Sequence, residues 1–198
     1  MPSGRIVVLN GFPGAGKLTI LKRAKELLPP DTTRLLDNHL LIDPVAAIIP
    51  IRNEEHHELR RLVRAPILAK LAQYAQNGFT ILMTTCLAKG NTTDASFSEE
   101  LFAMVRGTDV PMIWVNVHCE GVTLEKRLRS PERCDGTKMK LTDIDTLRNL
   151  LRKHSLLEPN HGVDRSSTLV VEALDANGPV ELSVGRLMPM IGLPCDGR

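Results

Sequence analysis

Residues 11–17 read Gly-Phe-Pro-Gly-Ala-Gly-Lys. They follow directly on the apolar run Ile6-Val7-Val8-Leu9 and open an amphipathic stretch, Lys17 to Leu28, stopped by Pro29-Pro30. This GxxxxGK pattern between a strand and a helix constrains the fold more than any other feature. Its glycines let the backbone curl so that successive N–H groups point inward at phosphate oxygens, and the helix N-terminus adds partial positive charge. Lys17 then reaches the β- and γ-phosphates of a nucleoside triphosphate. The expected nucleotide contacts are Gly11, Pro13, Gly14, Ala15, Gly16, Lys17, Leu18 and Thr19.

The pattern departs from the usual form at one place. The position after Lys17, where a Ser or Thr hydroxyl would ligate Mg²⁺, holds Leu18, which cannot coordinate a metal. Thr19 is one residue further, about 100° around the helix, so it is better placed for an α-phosphate oxygen than for the ion. The apolar run from Phe79 ends Leu82-Met83-Thr84-Thr85-Cys86, so an acidic residue is missing there too. Either Mg²⁺ is held by other carboxylates, waters and the phosphates, or nucleotide is bound with little turnover.

Short apolar runs alternate with longer amphipathic ones along the whole chain, the sign of a parallel α/β sheet. Strands are expected near Ile6–Leu9, Arg34–Asp37, Phe79–Met83, Pro111–Val117 and Thr168–Val171. A long helix is expected after Pro50, with Asn53 as N-cap, a core face through Leu59, Leu62, Val63, Pro66, Ile67, Leu71, Tyr74 and Ala75, and a kink or break at Pro66. Further helices are expected near Ser96–Arg106, Gly121–Arg129 and Asp143–His154, and after Pro179. Such a doubly wound domain binds its ligands at the carboxyl ends of its strands.

Asp37-Asn38-His39 stands where the second strand ends. Asp37 there either holds Mg²⁺ through water, accepts a proton from an acceptor hydroxyl, or caps the next turn. His39 either hydrogen-bonds substrate or packs in its loop. On the long helix, Arg60 and Arg64 lie one turn apart, which suits a phosphate or carboxylate on the acceptor; the alternative is a solvated face shared with Glu54, Glu55 and Glu58. Residues 125–140 carry six basic and three acidic side chains, a surplus larger than the net +2 of the whole chain. With Pro131 and Gly136, this stretch reads as a basic flap that closes over phosphates, Arg129 and Arg133 among its charges.

Composition excludes more than it selects. A near-neutral balance of 25 Lys+Arg against 23 Asp+Glu argues against binding nucleic acid through bulk charge. One Trp, one Tyr and four Phe are too few for a base-stacking platform. Cys86, Cys119, Cys134 and Cys195 form neither a CxxC pair nor a zinc spacing, and the first apolar run is too short for a signal-peptide core or a membrane span. A cytoplasmic protein with reduced thiols, monomeric or homodimeric, is the expectation.

On its phosphate loop and the order of its elements, the chain resembles the small P-loop kinases of the nucleoside-monophosphate-kinase-like group, which includes adenylate, gluconate and shikimate kinases and chloramphenicol phosphotransferase. The resemblance covers nearly the whole length. It implies an α/β three-layer P-loop NTPase fold, a five-stranded parallel sheet of order 2-3-1-4-5, and a short lid at about 130–141. It also implies that Arg127 stacks on adenine, that Arg129 or Arg133 contacts phosphate, and that the turn containing Asn177 and Gly178 wraps the base. Asp37 occupies the place of the acidic residue that serves magnesium or the acceptor in gluconate- and shikimate-kinase-like members. The second aspartate of the shikimate pattern is absent from Asp37-Asn38-His39. Together these imply ATP and Mg²⁺ as cofactors and transfer of the γ-phosphoryl group to a hydroxyl or phosphate on a small molecule bound by His39, Arg60 and Arg64. The alternative is a nucleotide-binding protein with weak or no turnover.

Overall fold

The computed structural model describes residues 4–130, 141–159 and 169–192. The lid expected at about 130–141, with Arg133, falls almost wholly outside them. Twelve elements alternate along the chain. They are β1 (Arg5–Asn10), α1 (Lys17–Glu26), β2 (Thr33–Leu36), α2 (His39–Ile48), α3 (Glu54–Gln76), β3 (Thr80–Thr85), α4 (Thr92–Ala103), β4 (Met112–His118), α5 (Gly121–Leu128), α6 (Ile144–Lys153), β5 (Leu169–Asp175) and α7 (Val180–Met190).

The five strands form one parallel sheet in the order β2-β3-β1-β4-β5. β1 lies at its centre, with Asn10 opposite Thr85 of β3 and Asn116 of β4. Because successive side chains point to opposite faces, β1 feeds two cores at once. Val7 and Leu9 pack with Ile20, Leu21 and Ala24 of α1, Leu124 and Leu128 of α5 and Leu187 of α7. Ile6 and Val8 pack with Leu68 and Ala75 of α3 and Phe97 and Leu101 of α4. A sheet covered on both faces exposes its strand ends, and the residues after β1, β2 and β3 converge there.

Several elements differ from expectation, among them α4, which begins four residues earlier than expected at Thr92. α2 corresponds to no expected element, and Pro44 is accommodated within it. α3 runs unbroken for 23 residues through Pro66. Pro66 is exposed, so its ring points away from the sheet, and packing of Leu68 and Ala75 beyond it carries the helix past the missing hydrogen bond. The buried stripe of α3 is also rotated: His56, Arg64, Leu68 and Ala75 are buried, whereas Leu62 is 55% exposed. Two of the charged or ionisable residues of this helix therefore face inward. β5 extends four residues beyond its expected end, to Asp175.

Candidate active site

The phosphate loop leaves β1 at Asn10 and enters α1 at Lys17. Gly14 and Gly16 sit at φ 90° and 80°, left-handed conformations that side chains disfavour. At Gly14 the space is closed as well, since a Cβ there would lie 2.7 Å from Leu128 Cδ1. Lys17 Nζ donates to the carbonyls of Gly11 at 2.5 Å and Phe12 at 3.0 Å, folding the ammonium over the loop. The first turn of α1 carries no acidic side chain, so its N-terminus keeps its attraction for anions.

Beside the loop lies a cleft of about 380 Å³ lined by Gly14, Ala15, Gly16, Thr19, Arg127, Ser130, Ala176, Gly178, Val180 and others. It brings together six of the residues expected to contact nucleotide. Arg127 on α5 donates from Nη2 to the carbonyls of Ala176 at 2.9 Å and Gly178 at 3.4 Å, and lies beside Gly16. Its planar guanidinium thus spans the gap between the loop and the turn after β5. Asn177 serves a different end. Its Oδ1 accepts from the Glu120 N–H at 2.8 Å and its Nδ2 donates to Asp175 at 2.7 Å, so its side chain braces the turn while Gly178 lines the cleft. Pro13 and Leu18 are partly exposed, and Arg129, the C-cap of α5, is exposed.

On the other side of the loop, Asp37 follows β2 and is buried. It accepts from the Thr84 hydroxyl at 3.0 Å, and Thr84 Oγ1 in turn accepts the Asn38 N–H at 3.0 Å. Asp37 also receives the His39 N–H at 3.5 Å, the capping interaction foreseen for a short acidic residue. His39 begins α2 and shares a contact of 3.1 Å between its Nδ1 and Asp43. The donor set here is hard oxygen, carboxylate and hydroxyl, which fits Mg²⁺. No group of three or more His, Cys, Asp or Glu side chains forms a metal site among the described residues. Mg²⁺ keeps several waters and leans on nucleotide phosphates, so one buried carboxylate with a threonine hydroxyl is a sufficient protein contribution.

The two arginines of α3 are not equivalent. Arg64 is buried, donates to both oxygens of Glu100 at 2.5 and 2.6 Å, and lies 4.3 Å from the centre of the Phe97 ring. Its guanidinium is held by α4, which corrects the expectation of a matched arginine pair. Arg60, one turn earlier, has its Nε shut off from solvent with no hydrogen-bond partner. Burial, together with the charges of Arg64 and Arg52, lowers its pKa to about 10.

Several residues of this region escape a sequence reading. Asn10 Nδ2 donates to Asn116 at 3.0 Å and to the Leu87 carbonyl at 3.2 Å, while its Oδ1 receives the Leu87 N–H at 2.7 Å and the Thr85 hydroxyl at 3.2 Å. Asn116 reaches the Leu157 carbonyl at 3.2 Å, and residues 155–157 bond back to 87–89. This network locks the segment after β3 across the carboxyl end of the sheet. Asp94 of α4 accepts the Ala88 N–H at 2.9 Å, and burial pushes its carboxyl up. Burial also raises the Cys86 thiol, which Lys17 and Arg52 act to lower. Lys17, Asp94 and Arg52 are therefore each close enough to act on Cys86. Polar residues at strand ends were the available signal, but it does not say which side chains meet.

No family model matches the sequence, and a search of curated proteins returns no match. Solved structures do match. A putative kinase from Chloroflexus aurantiacus is 14% identical with a TM-score of 0.63, covering 97% of this chain and 98% of that one. The chain has the fold of the small P-loop kinases. A sugar kinase from Janibacter sp. (19% identity, TM-score 0.58, 96% and 95% covered) and a shikimate kinase from Bacteroides thetaiotaomicron (19%, 0.56, 96% and 99%) share it. These likenesses carry the fold. No helix among the described residues is long and apolar enough to cross a membrane.

Proposed function

We propose that the protein is an ATP-dependent kinase of a small molecule. The observation that carries this reading is the juxtaposition of a phosphate loop in anion-binding shape, with Lys17 folded over it, and a buried Asp37–Thr84 pair at the neighbouring strand ends. The adenine is taken up in the cleft between Gly14–Thr19 and the turn at 176–178, with Arg127 against the base or the α-phosphate. The β- and γ-phosphates lie on the loop N–H groups and Lys17. Mg²⁺ bound with the nucleotide would supply charge neutralisation for the transferring phosphoryl group. Asp37 is the residue that would hold it, through water, with Leu18 supplying nothing.

In the reaction, the acceptor oxygen forms a bond to the γ-phosphorus as the bond from that phosphorus to the β–γ bridging oxygen breaks, and ADP leaves. The acceptor proton passes to Asp37, whose contact with Thr84 fixes the carboxylate's orientation. The acceptor lies between Asp37, His39 and the inward face of α3, where Arg60 faces it and Arg64, held by Glu100, positions the helix. Arg129, at the end of α5, approaches the phosphates, and Arg133 lies outside the described residues.

Leu18 in place of a hydroxyl favours a second reading, in which nucleotide is bound without turnover. Single-turnover incubation with γ-labelled ATP, Mg²⁺ and a cell-extract metabolite pool separates the two. The kinase reading requires label to move to a new small molecule. Bound ATP that never loses its γ-phosphate in that pool leaves only the second.

A further inference from the structure

Beside the base cleft, a second cavity of about 330 Å³ opens between the phosphate loop, the end of β4 and the helices α5 and α6. Its floor is Ala15, Val117, Leu124 and Leu156, all buried, and its walls are Phe12 and Leu151, both partly buried. The volume falls at the small end of the range for ligand pockets, about 300–1,000 Å³, and the lining has their usual character of apolar surface with a few polar groups. Those polar groups are Cys119, Glu120, Asn177 and the exposed His118. Among the described residues, Ala15 alone also lines the base cleft, so the two hollows are neighbours and not one site.

Glu120 gives the cavity its sign. It is the N-cap of α5, yet its side chain makes no capping bond. Its own N–H goes to Asn177 Oδ1 at 2.8 Å, and Asn177 Nδ2 is bound to Asp175, so the Asn177 amide is satisfied within the protein. The Glu120 carboxylate is left at the rim of an apolar hollow. Burial pushes the neighbouring Cys119 thiol up, and Asp175 and Glu120 push it the same way, against Arg127. Arg127 itself is engaged elsewhere, since its Nη2 donates to the Ala176 carbonyl at 2.9 Å and its side chain lines the base cleft. Phe12 adds an aromatic face. Cations of the chain already sit over the rings of Tyr74, Phe79 and Phe97, whereas among the described residues none sits over Phe12. A carboxylate and an open aromatic ring around an apolar floor suit an ammonium group on a hydrocarbon body, through charge pairing and attraction of the cation to the ring.

We propose that this cavity is a second ligand site, for a small apolar molecule carrying an ammonium group, with its hydrocarbon body against Leu124, Leu151 and Leu156 and its charge between Glu120 and Phe12. The site goes beyond the kinase reading and does not depend on it. Its ligand binds beside the nucleotide and not in its place. Phe12 and Ala15 belong to the phosphate loop, and the Phe12 carbonyl receives Lys17 Nζ at 3.0 Å, so a bound amine touches that loop directly.

The test uses the full chain and two probes of one shape, benzylamine and benzyl alcohol. Cys119 lines the cavity, so its rate of alkylation by iodoacetamide, read on its own peptide by mass spectrometry, reports occupancy, with Cys86 as internal control. At about pH 8 an ordinary imidazole is neutral while an alkylamine stays charged. Benzylamine should slow alkylation of Cys119 and not of Cys86. It should bind about fivefold more tightly than benzyl alcohol, as a partly exposed ion pair with a cation–π contact provides. Glu120→Gln should remove that preference and leave benzyl alcohol unchanged. Leu151→Trp should fill the cavity and end protection by both probes; Glu120→Gln, at an exposed side chain, keeps the test decisive if the larger residue unsettles α6. Saturating MgATP, present throughout a parallel series, should leave the benzylamine protection in place. The proposal is overturned if neither probe protects Cys119, if benzyl alcohol binds as tightly as benzylamine, or if Glu120→Gln keeps the preference. Competitive displacement of benzylamine by MgATP would also overturn it, because the cavity would then be part of the base site. A chain that binds the amine but never transfers phosphate would leave this proposal standing and sink the kinase reading alone.

Discussion

Gly14 holds the phosphate loop in a left-handed turn against Leu128, and a methyl group has nowhere to go. Gly14→Ala should therefore cost about 1–3 kcal/mol in urea unfolding, from backbone strain and the collision together. Glu100 is the other residue on which local order depends. Glu100→Ala strands the buried Arg64 guanidinium, and a loss of about 3 kcal/mol is expected, whereas Arg60→Gln should cost nothing by the same measurement. At Asp37 the expected effect is chemical. Asp37→Asn should lower kcat by roughly 10²–10⁴, the usual contribution of a positioned base, with ATP affinity changed far less. At this scale the loop was legible because its spacing is itself the mechanism. Arg60 and Arg64 were legible as a pair but not as two different residues, since Glu100 lies 36 positions away from Arg64 and no local pattern announces the contact.

α3 is the element on which the site turns. A helix has a single inward stripe, and here its first half is His56, Arg60 and Arg64 and its second half Leu68 and Ala75. Read for hydrophobic periodicity alone, the polar half passes as a solvated face and the stripe is set on Leu62 and Pro66, which the structure exposes. Tertiary contacts overrode the pattern, since Arg64 is held by Glu100 and lies over Phe97. The same placement has a consequence in acid. His57 has its folded-state pKa below the ordinary 6.5, so the unfolded chain binds its proton first. Its contribution to stability is present above that ordinary value and is lost as pH falls toward the lower folded one. Melting between about pH 7 and pH 5 should show a smaller acid loss in His57→Asn than in the wild type. α2 has no counterpart among the expected elements, and the clamp formed by Asn10, Asn116 and residues 155–157 was invisible because its partners come from three separate segments.

For the whole molecule, the order of five strands and the alternation of elements were readable from apolar runs, since a sheet buried on both faces must be written in them. What the runs do not encode is how the carboxyl edge is shared between a phosphate cradle on β1–α1 with its base cleft and the buried Asp37–Thr84 pair after β2 and in β3. A chain built this way gains stability from its ligand. MgATP at about a hundred times its Kd should add about 2.7 kcal/mol, and in a domain of this size raise the melting temperature by roughly 5–11 °C. The central claim is that residues 11–17 hold a triphosphate. Calorimetric titration of MgATP and of adenosine into the wild type and into Lys17→Ala tests it most directly. The account predicts that the substitution weakens MgATP by tenfold or more and leaves adenosine within about twofold. Equal losses for the two ligands, or no loss for MgATP, would contradict it.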